Sequence, residues 1–184
     1  MEPNSLGTPT EKEASSLTAL CYDILEVLVV SLACITLIFT FIFRVVGVEG
    51  GSMMDTLCDG DRLILCPVLT SPERGDIVVI NRYAEDPLIK RVIGVQGDTI
   101  EVDETLGKVR LNGELLDEAY IRYPTPAYDM SGAVTVPEGY VFVMGDHRND
   151  SHDSRSEDIG LVSVNDIVGQ AVFRIWPLRR IGVF

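Results

Sequence analysis

A chain of 184 residues that is 46% hydrophobic yet carries a formal net charge of −13 can hold one domain with a real core, plus an appendage. Positive mean hydropathy beside that much acid implies segregation into one very apolar segment and an acidic globular remainder. The acidity argues against nucleic acid as a partner, since phosphate binding needs clustered Lys and Arg. Cysteines at 21, 34, 58 and 66 form no Cys-x-x-Cys pair and have only two histidines to help, so no zinc site is expected.

In chain order, residues 1–21 are rich in Glu, Ser and Thr without apolar periodicity and are expected to form a disordered tail. Residues 22–46 read as a transmembrane anchor. Val27 to Phe43 is uncharged, and Ile24, Leu25, Val45 and Val46 extend it to the length a bilayer requires. The run is apolar on all faces, which argues against a buried core helix. A cleavable secretion signal needs a basic start, and the N-terminus offers only Lys12 among acids. Arg44 flanks the run on its C-terminal side, and the positive-inside rule alone places that flank in the cytoplasm.

Residues 47–184 carry the signals of strands. Arg62–Cys66, Asp76–Ile80, Ile89–Val95 and Thr99–Val102 are short β-rich runs. Val109–Leu111 and Glu114–Leu116 flank Asn112-Gly113, the dipeptide of a type I′ hairpin turn. Pro124–Gly132 reads as an irregular loop, Tyr140–Met144 as an apolar strand, and Ile167–Ile175 as the last one or two strands. Cys58 and Cys66 flank one of these runs, and burial as free thiols is preferred over a disulfide. The fold class expected is mainly β: an antiparallel β-sheet domain behind one N-terminal transmembrane helix.

Chemistry points to Gly50-Gly51-Ser52-Met53-Met54-Asp55-Thr56-Leu57. Two glycines before a serine let it stand clear at a tight bend, although the same residues also suit a linker. The serine hydroxyl needs a base. His147 and His152 share one polar loop, which brings a Ser-His-Asp triad into consideration. Lys90 competes. It lies in a β-rich run, on one face with Val92 and opposite Ile89, Arg91 and Ile93. It either faces solvent or is buried, and burial would lower its pKa enough to make the amine a general base.

Four blocks resemble those of bacterial type I signal peptidases, membrane-anchored Ser-Lys proteases. They are Gly51-Ser52-Met53 with Thr56-Leu57 and Gly60-Asp61; Arg74-Gly75-Asp76-Ile77-Val78-Val79; Lys90-Arg91-Val92-Ile93-Gly94 with Gly97-Asp98; and Gly145-Asp146-x-Arg148 with Ser151-x-Asp153-Ser154-Arg155. The resemblance implies a signal-peptidase type of catalytic domain over residues 47–184, with Ser52 as nucleophile and Lys90 as general base. It implies that Ser151 orients the lysine amine, and that Asp146, Asp153 and Arg155 hold their loop by ion pairing. Met53 would line the floor for the small side chain before the scissile bond. Gly50 stands where some members carry a hydroxyl that serves as second oxyanion donor. The partners implied are the signal peptides of exported preproteins and the lipid bilayer, with no cofactor and no metal. The catalytic domain would lie outside the cytoplasm, against the reading of Arg44. Two positions depart from the pattern: Asp55 replaces a usual proline and His147 a usual asparagine. Asp55 is expected to point to solvent or to cap the following turn, and His147 to be a polar loop residue. A self-cleaving Ser-Lys protease and a decayed, membrane-tethered binding module are the alternatives.

Overall fold

The computed structural model describes residues 11–41, 43–67, 71–82 and 86–184, in two compact units, Met1–Phe41 and Ile42–Phe184. The described part of the first is a single helix, α1 (Glu11–Phe41). Its stretch Ala19–Leu37 is long and apolar enough to cross a membrane, and none of it is buried. Leu25, Val27, Leu28, Val29 and Val30 are all exposed, so no side of this stretch is polar.

Both ends of α1 differ from the sequence expectation. Residues 11–21 are helical rather than a tail, because Glu11-Lys12-Glu13-Ala14 are strong helix formers onto which an existing helix propagates at little cost. Residues 1–10 of the expected tail lie outside the described residues. At the other end the helix stops at Phe41, and Arg44–Gly47 forms strand β1. Val45 and Val46, counted as the end of the anchor, instead pair with Ile64 and Leu63 of β2 (Arg62–Cys66). An apolar β-branched pair suits either environment, and here a partner strand decided it.

The second unit is mainly β, and all the strand pairings among its described residues are antiparallel. The next strands are β3 (Ile77–Ile80), β4 (Leu88–Gly94), β5 (Thr99–Asp103), β6 (Lys108–Leu111) and β7 (Glu114–Leu115). They are followed by β8 (Val134–Thr135), β9 (Tyr140–Met144), β10 (Val162–Ser163), β11 (Ile167–Trp176) and β12 (Gly182–Val183). The larger sheet runs β1-β2-β11-β3-β4-β9-β10 with β12 on β11, and the smaller runs β7-β6-β5-β8. Asn112 and Gly113 both adopt positive φ, 53° and 86°, as a type I′ turn between β6 and β7 requires. Two-residue strands such as β8 and β10 carry too short a pattern to be read ahead of the structure.

Among the described residues, three apolar clusters fill the unit. One joins Val48, Met53 and Leu57 to Leu63, Leu65, Ile77 and Val79. It therefore ties the segment around Ser52 to the middle of the larger sheet. A second packs Val78, Val92, Val141 and Val143 together. The third, with Ile100, Val109 and Phe142, covers the smaller sheet. Strand β4 lies between β3 and β9, so a side chain at its centre is shielded on both flanks. Cys58 and Cys66 are free, half-buried thiols.

Candidate active site

Ser52 sits on a tight turn. Gly50 has φ +83°, a conformation other residues resist, and its N–H donates to Asp59 Oδ1 at 3.0 Å. The Met54 N–H donates to the Gly51 carbonyl at 3.0 Å and the Leu57 N–H to the Met53 carbonyl at 2.8 Å. Met53 and Leu57 are buried in the core. The turn is thus pegged from below on either side of the exposed Met54, while Ser52 faces a cleft. That cleft, about 370 Å³, is lined by Val46, Val48, Met53, Val79, Leu88 and Ile89 beside Ser52 and Lys90. Its floor is apolar, and its rim carries Glu49 and Asp86.

Lys90 occupies the middle of β4, in register with Val78 of β3. It is 2% exposed, and its Nζ donates to Ser52 Oγ at 2.7 Å. Burial pushes the amine down from its ordinary 10.5 to about 8. The charge of Asp153 pulls it up, that of Arg155 pushes it down, and that of Asp146 pulls it up again. Desolvation dominates because charging an ammonium out of water costs more than carboxylates at this distance return. Of the two sequence readings of Lys90, the buried one describes its geometry.

The loop after β9 closes the site. Asp146 accepts from Arg91 Nε at 2.8 Å and Nη2 at 2.6 Å, and from Thr56 Oγ1 at 2.5 Å. One buried carboxylate therefore fastens the Ser52 turn to the strand that carries Lys90. Asp153 receives Arg155 Nε and Nη2, each at 2.8 Å, the Ser151 hydroxyl at 2.7 Å and the Gly145 N–H at 2.9 Å. Burial pushes this carboxyl up, but the bonds and charge of Arg155, with those two donors, hold it below the usual carboxylate range. The Ser151 hydroxyl proton thus goes to Asp153, and no hydrogen bond joins Lys90 to Ser151 among the described residues.

His147 bonds neither Lys90 Nζ nor Ser52 Oγ among the described residues. Its N–H donates to the Ser52 carbonyl at 3.0 Å, its Nδ1 lies 3.2 Å from the Gly51 carbonyl, and its ring stacks on Tyr123. His152 is exposed and bonds Asp158 at 2.7 Å. Neither histidine forms a triad with Ser52.

Several supports were not singled out from sequence. Arg148, fully buried, bonds Glu118 through Nη1 at 2.9 Å and Thr125 Oγ1 at 3.0 Å. Arg91 lies over the Tyr120 ring at 4.1 Å. These partners come from residues 117–130, a stretch whose irregular composition hides which of its polar groups are buried. Only the need of Arg148 for a carboxylate hinted at it. Farther round, Arg174 Nη1 donates to the Thr56 carbonyl at 2.7 Å and Asp61 Oδ2 at 3.1 Å, and so holds the turn from its other end.

Asp55 pairs with Arg122 at 2.5 Å, and both side chains are half-exposed or more. No hydrogen bond or ion pair joins it to Lys90 among the described residues. An exposed pair contributes roughly 0–1 kcal/mol. Asp55→Asn is therefore expected to change kcat/KM by less than about threefold, measured on a synthetic peptide substrate. A larger loss accompanied by a shifted pH profile would show that the carboxylate does act on the base.

The family described as signal peptidase, peptidase S26, matches residues 21–176. The probable signal peptidase I-2 of Synechocystis is 40% identical over 154 residues, covering 78% of this chain and 68% of that protein. Signal peptidase I T of Bacillus subtilis is 34% identical over 187 residues, with 95% of each chain covered. A crystal structure of a signal peptidase I from Enterococcus faecalis is 28% identical with a TM-score of 0.47, covering 56% of this chain and 99% of that one. With more than half its length matched and relatives above 30% identity, this chain belongs to the signal peptidase family, peptidase S26.

Proposed function

We propose that the chain is a membrane-bound endopeptidase that removes N-terminal signal peptides from preproteins, with Ser52 as nucleophile and Lys90 as general base. One observation carries the assignment: a lysine amine withdrawn from water lies 2.7 Å from a serine hydroxyl at the edge of an apolar cleft.

In the neutral amine the hydrogen bond reverses, and the Ser52 hydroxyl donates to the Nζ lone pair. Oγ attacks the scissile carbonyl carbon as its proton passes to Nζ. The carbonyl oxygen takes the negative charge and meets the Ser52 N–H, which makes no hydrogen bond among the described residues. Collapse expels the new amine of the mature protein, which takes the proton from Nζ. Water then attacks the ester carbonyl, giving a proton to Nζ, and Oγ regains it as the acid leaves. Each step uses the amine as base, then as acid.

The small, apolar cleft formed by Val46, Val48, Val79 and Ile89 over Met53 suits small side chains such as alanine before the cut. Residues 47–184 form the catalytic domain and α1 the anchor within residues 22–46. The catalytic domain is placed outside the cytoplasm, where signal peptides emerge, and Arg44 is accommodated at the interface by snorkelling.

The test uses the full chain in detergent. Incubation with a preprotein is expected to release its signal peptide, and a serine-directed acylating probe to add its mass at Ser52. Ser52→Ala is expected to abolish both. An intact preprotein together with an unlabelled serine would refute the assignment.

A further inference from the structure

We propose that His147 is a positioning residue that aims the main-chain N–H of Ser52 at the oxyanion. This deepens the reading of Ser52 as nucleophile and rests on it. The Gly51–Ser52 peptide is not among the cis bonds, so its C=O and N–H point in opposite directions. Whatever grips the Gly51 oxygen therefore sets where the Ser52 N–H points. Two groups grip it: the Met54 N–H at 3.0 Å and His147 Nδ1 at 3.2 Å. The next carbonyl, that of Ser52 itself, accepts the His147 N–H at 3.0 Å. One residue thus fixes the peptide planes on both sides of the nucleophile's Cα, while the Ser52 N–H keeps no partner of its own among the described residues.

The chemistry of the contact dictates a protonation state. A carbonyl only accepts, so Nδ1 must carry the hydrogen. Both the Nδ1–H tautomer and the imidazolium satisfy this; the Nε2–H tautomer does not. The Asp150 carboxylate stands 3.9 Å from Nδ1, beyond hydrogen-bond range, and does not compete. The ring is held by Tyr123, stacked at 5.3 Å between centroids. The adjacent Arg122 pairs with Asp55 on the far side of the same turn. Residues 122 and 123 thereby brace the turn at two points, one through the imidazole and one through Asp55.

An asparagine carries its amide nitrogen at the same number of bonds from the main chain as Nδ1, and it can donate to the same carbonyl. Alanine cannot. Steady-state cleavage of a signal-peptide substrate by the full chain in detergent is therefore expected to show kcat lowered roughly ten- to a hundredfold in His147→Ala, as for a misaimed oxyanion donor. KM is expected to stay within twofold. The Kd of the same peptide with a reduced CH₂–NH scissile bond, which has no carbonyl oxygen, should also be unchanged. His147→Asn is expected to restore kcat to within threefold of the parent. Nitrogen-15 shifts of the His147 ring should place a proton on Nδ1 at the assay pH.

A kcat for His147→Ala within twofold of the parent would overturn the proposal, as would a His147→Asn as slow as the alanine variant, or a bare Nδ1. Failure of the parent chain itself to cut would instead count against the assignment of Ser52. The ring shifts would then still decide whether the imidazole holds the Gly51 carbonyl.

Discussion

Lys90→Met is expected to abolish cleavage while making the folded domain more stable at neutral pH. On the proposed assignment, loss of the general base removes roughly a hundred- to ten-thousandfold in rate, because neither histidine bonds Ser52 Oγ to replace it. The gain in stability follows from the same burial. Folding lowers the Lys90 pKa from 10.5 to about 8, so between those values the unfolded chain holds more of this proton than the folded one. Stability from this group therefore rises as pH climbs from about 8 to about 10.5, and below pH 8 the full penalty is present, about 3 kcal/mol. Methionine fills similar space without charge. Urea unfolding of the parent and the variant is expected to show the variant ahead by up to about 3 kcal/mol at pH 7, with the gap closing towards pH 10.5. A variant less stable than the parent at pH 7 would show that the lysine is not charged at a cost.

Gly145→Ala is expected to cripple the site by geometry alone. A Cβ on Gly145 would overlap the Ser52 main-chain oxygen and the Ser151 hydroxyl, and would come within 2.6 Å of Ser151 Cβ. The loop has little freedom to retreat. Its N–H is committed to Asp153 at 2.9 Å and its carbonyl accepts from Arg148 Nε at 3.1 Å, and both partners are buried. The Ser52 turn must therefore move relative to Lys90, and a displacement near 1 Å costs about a hundredfold in rate. Overpacking adds a stability loss of about 1–3 kcal/mol. The checks are kcat/KM and the urea midpoint. A variant within threefold of the parent would mean that the loop yields without disturbing the Ser52–Lys90 distance.

The β domain was legible where local signals were strong. Asn112-Gly113 announced its hairpin because few other dipeptides adopt two positive φ values. Arg62–Cys66 and Tyr140–Met144 were found because apolar β-branched and aromatic residues cluster between turn residues. Val45 and Val46 were misplaced because an apolar pair reads the same in a lipid-facing helix and in a strand paired with β2. What the sequence could not display was depth. Lys90 alternates with its neighbours as a solvent-facing residue would, and its burial comes from β3 and β9 on either flank together with the Ser52 turn above it. The residues that fasten the site are long-range pairs: Thr56 with Asp146, Arg148 with Glu118, Arg122 with Asp55. Complementary charges were visible, but nothing local says which of many carboxylates meets which arginine.

The pH dependence of kcat/KM for a synthetic signal-peptide substrate bears most directly on the pairing of Ser52 with Lys90. That ratio reports the ionisation of the free enzyme, and the proposed mechanism requires the neutral amine. The rate is expected to rise through an apparent pKa of about 8 and then level off, with the same limb retained in His147→Asn. A limb near 6.5, the ordinary range of histidine, that vanishes in His147→Asn would contradict the account, and so would a rate that stays flat from pH 6 to 9.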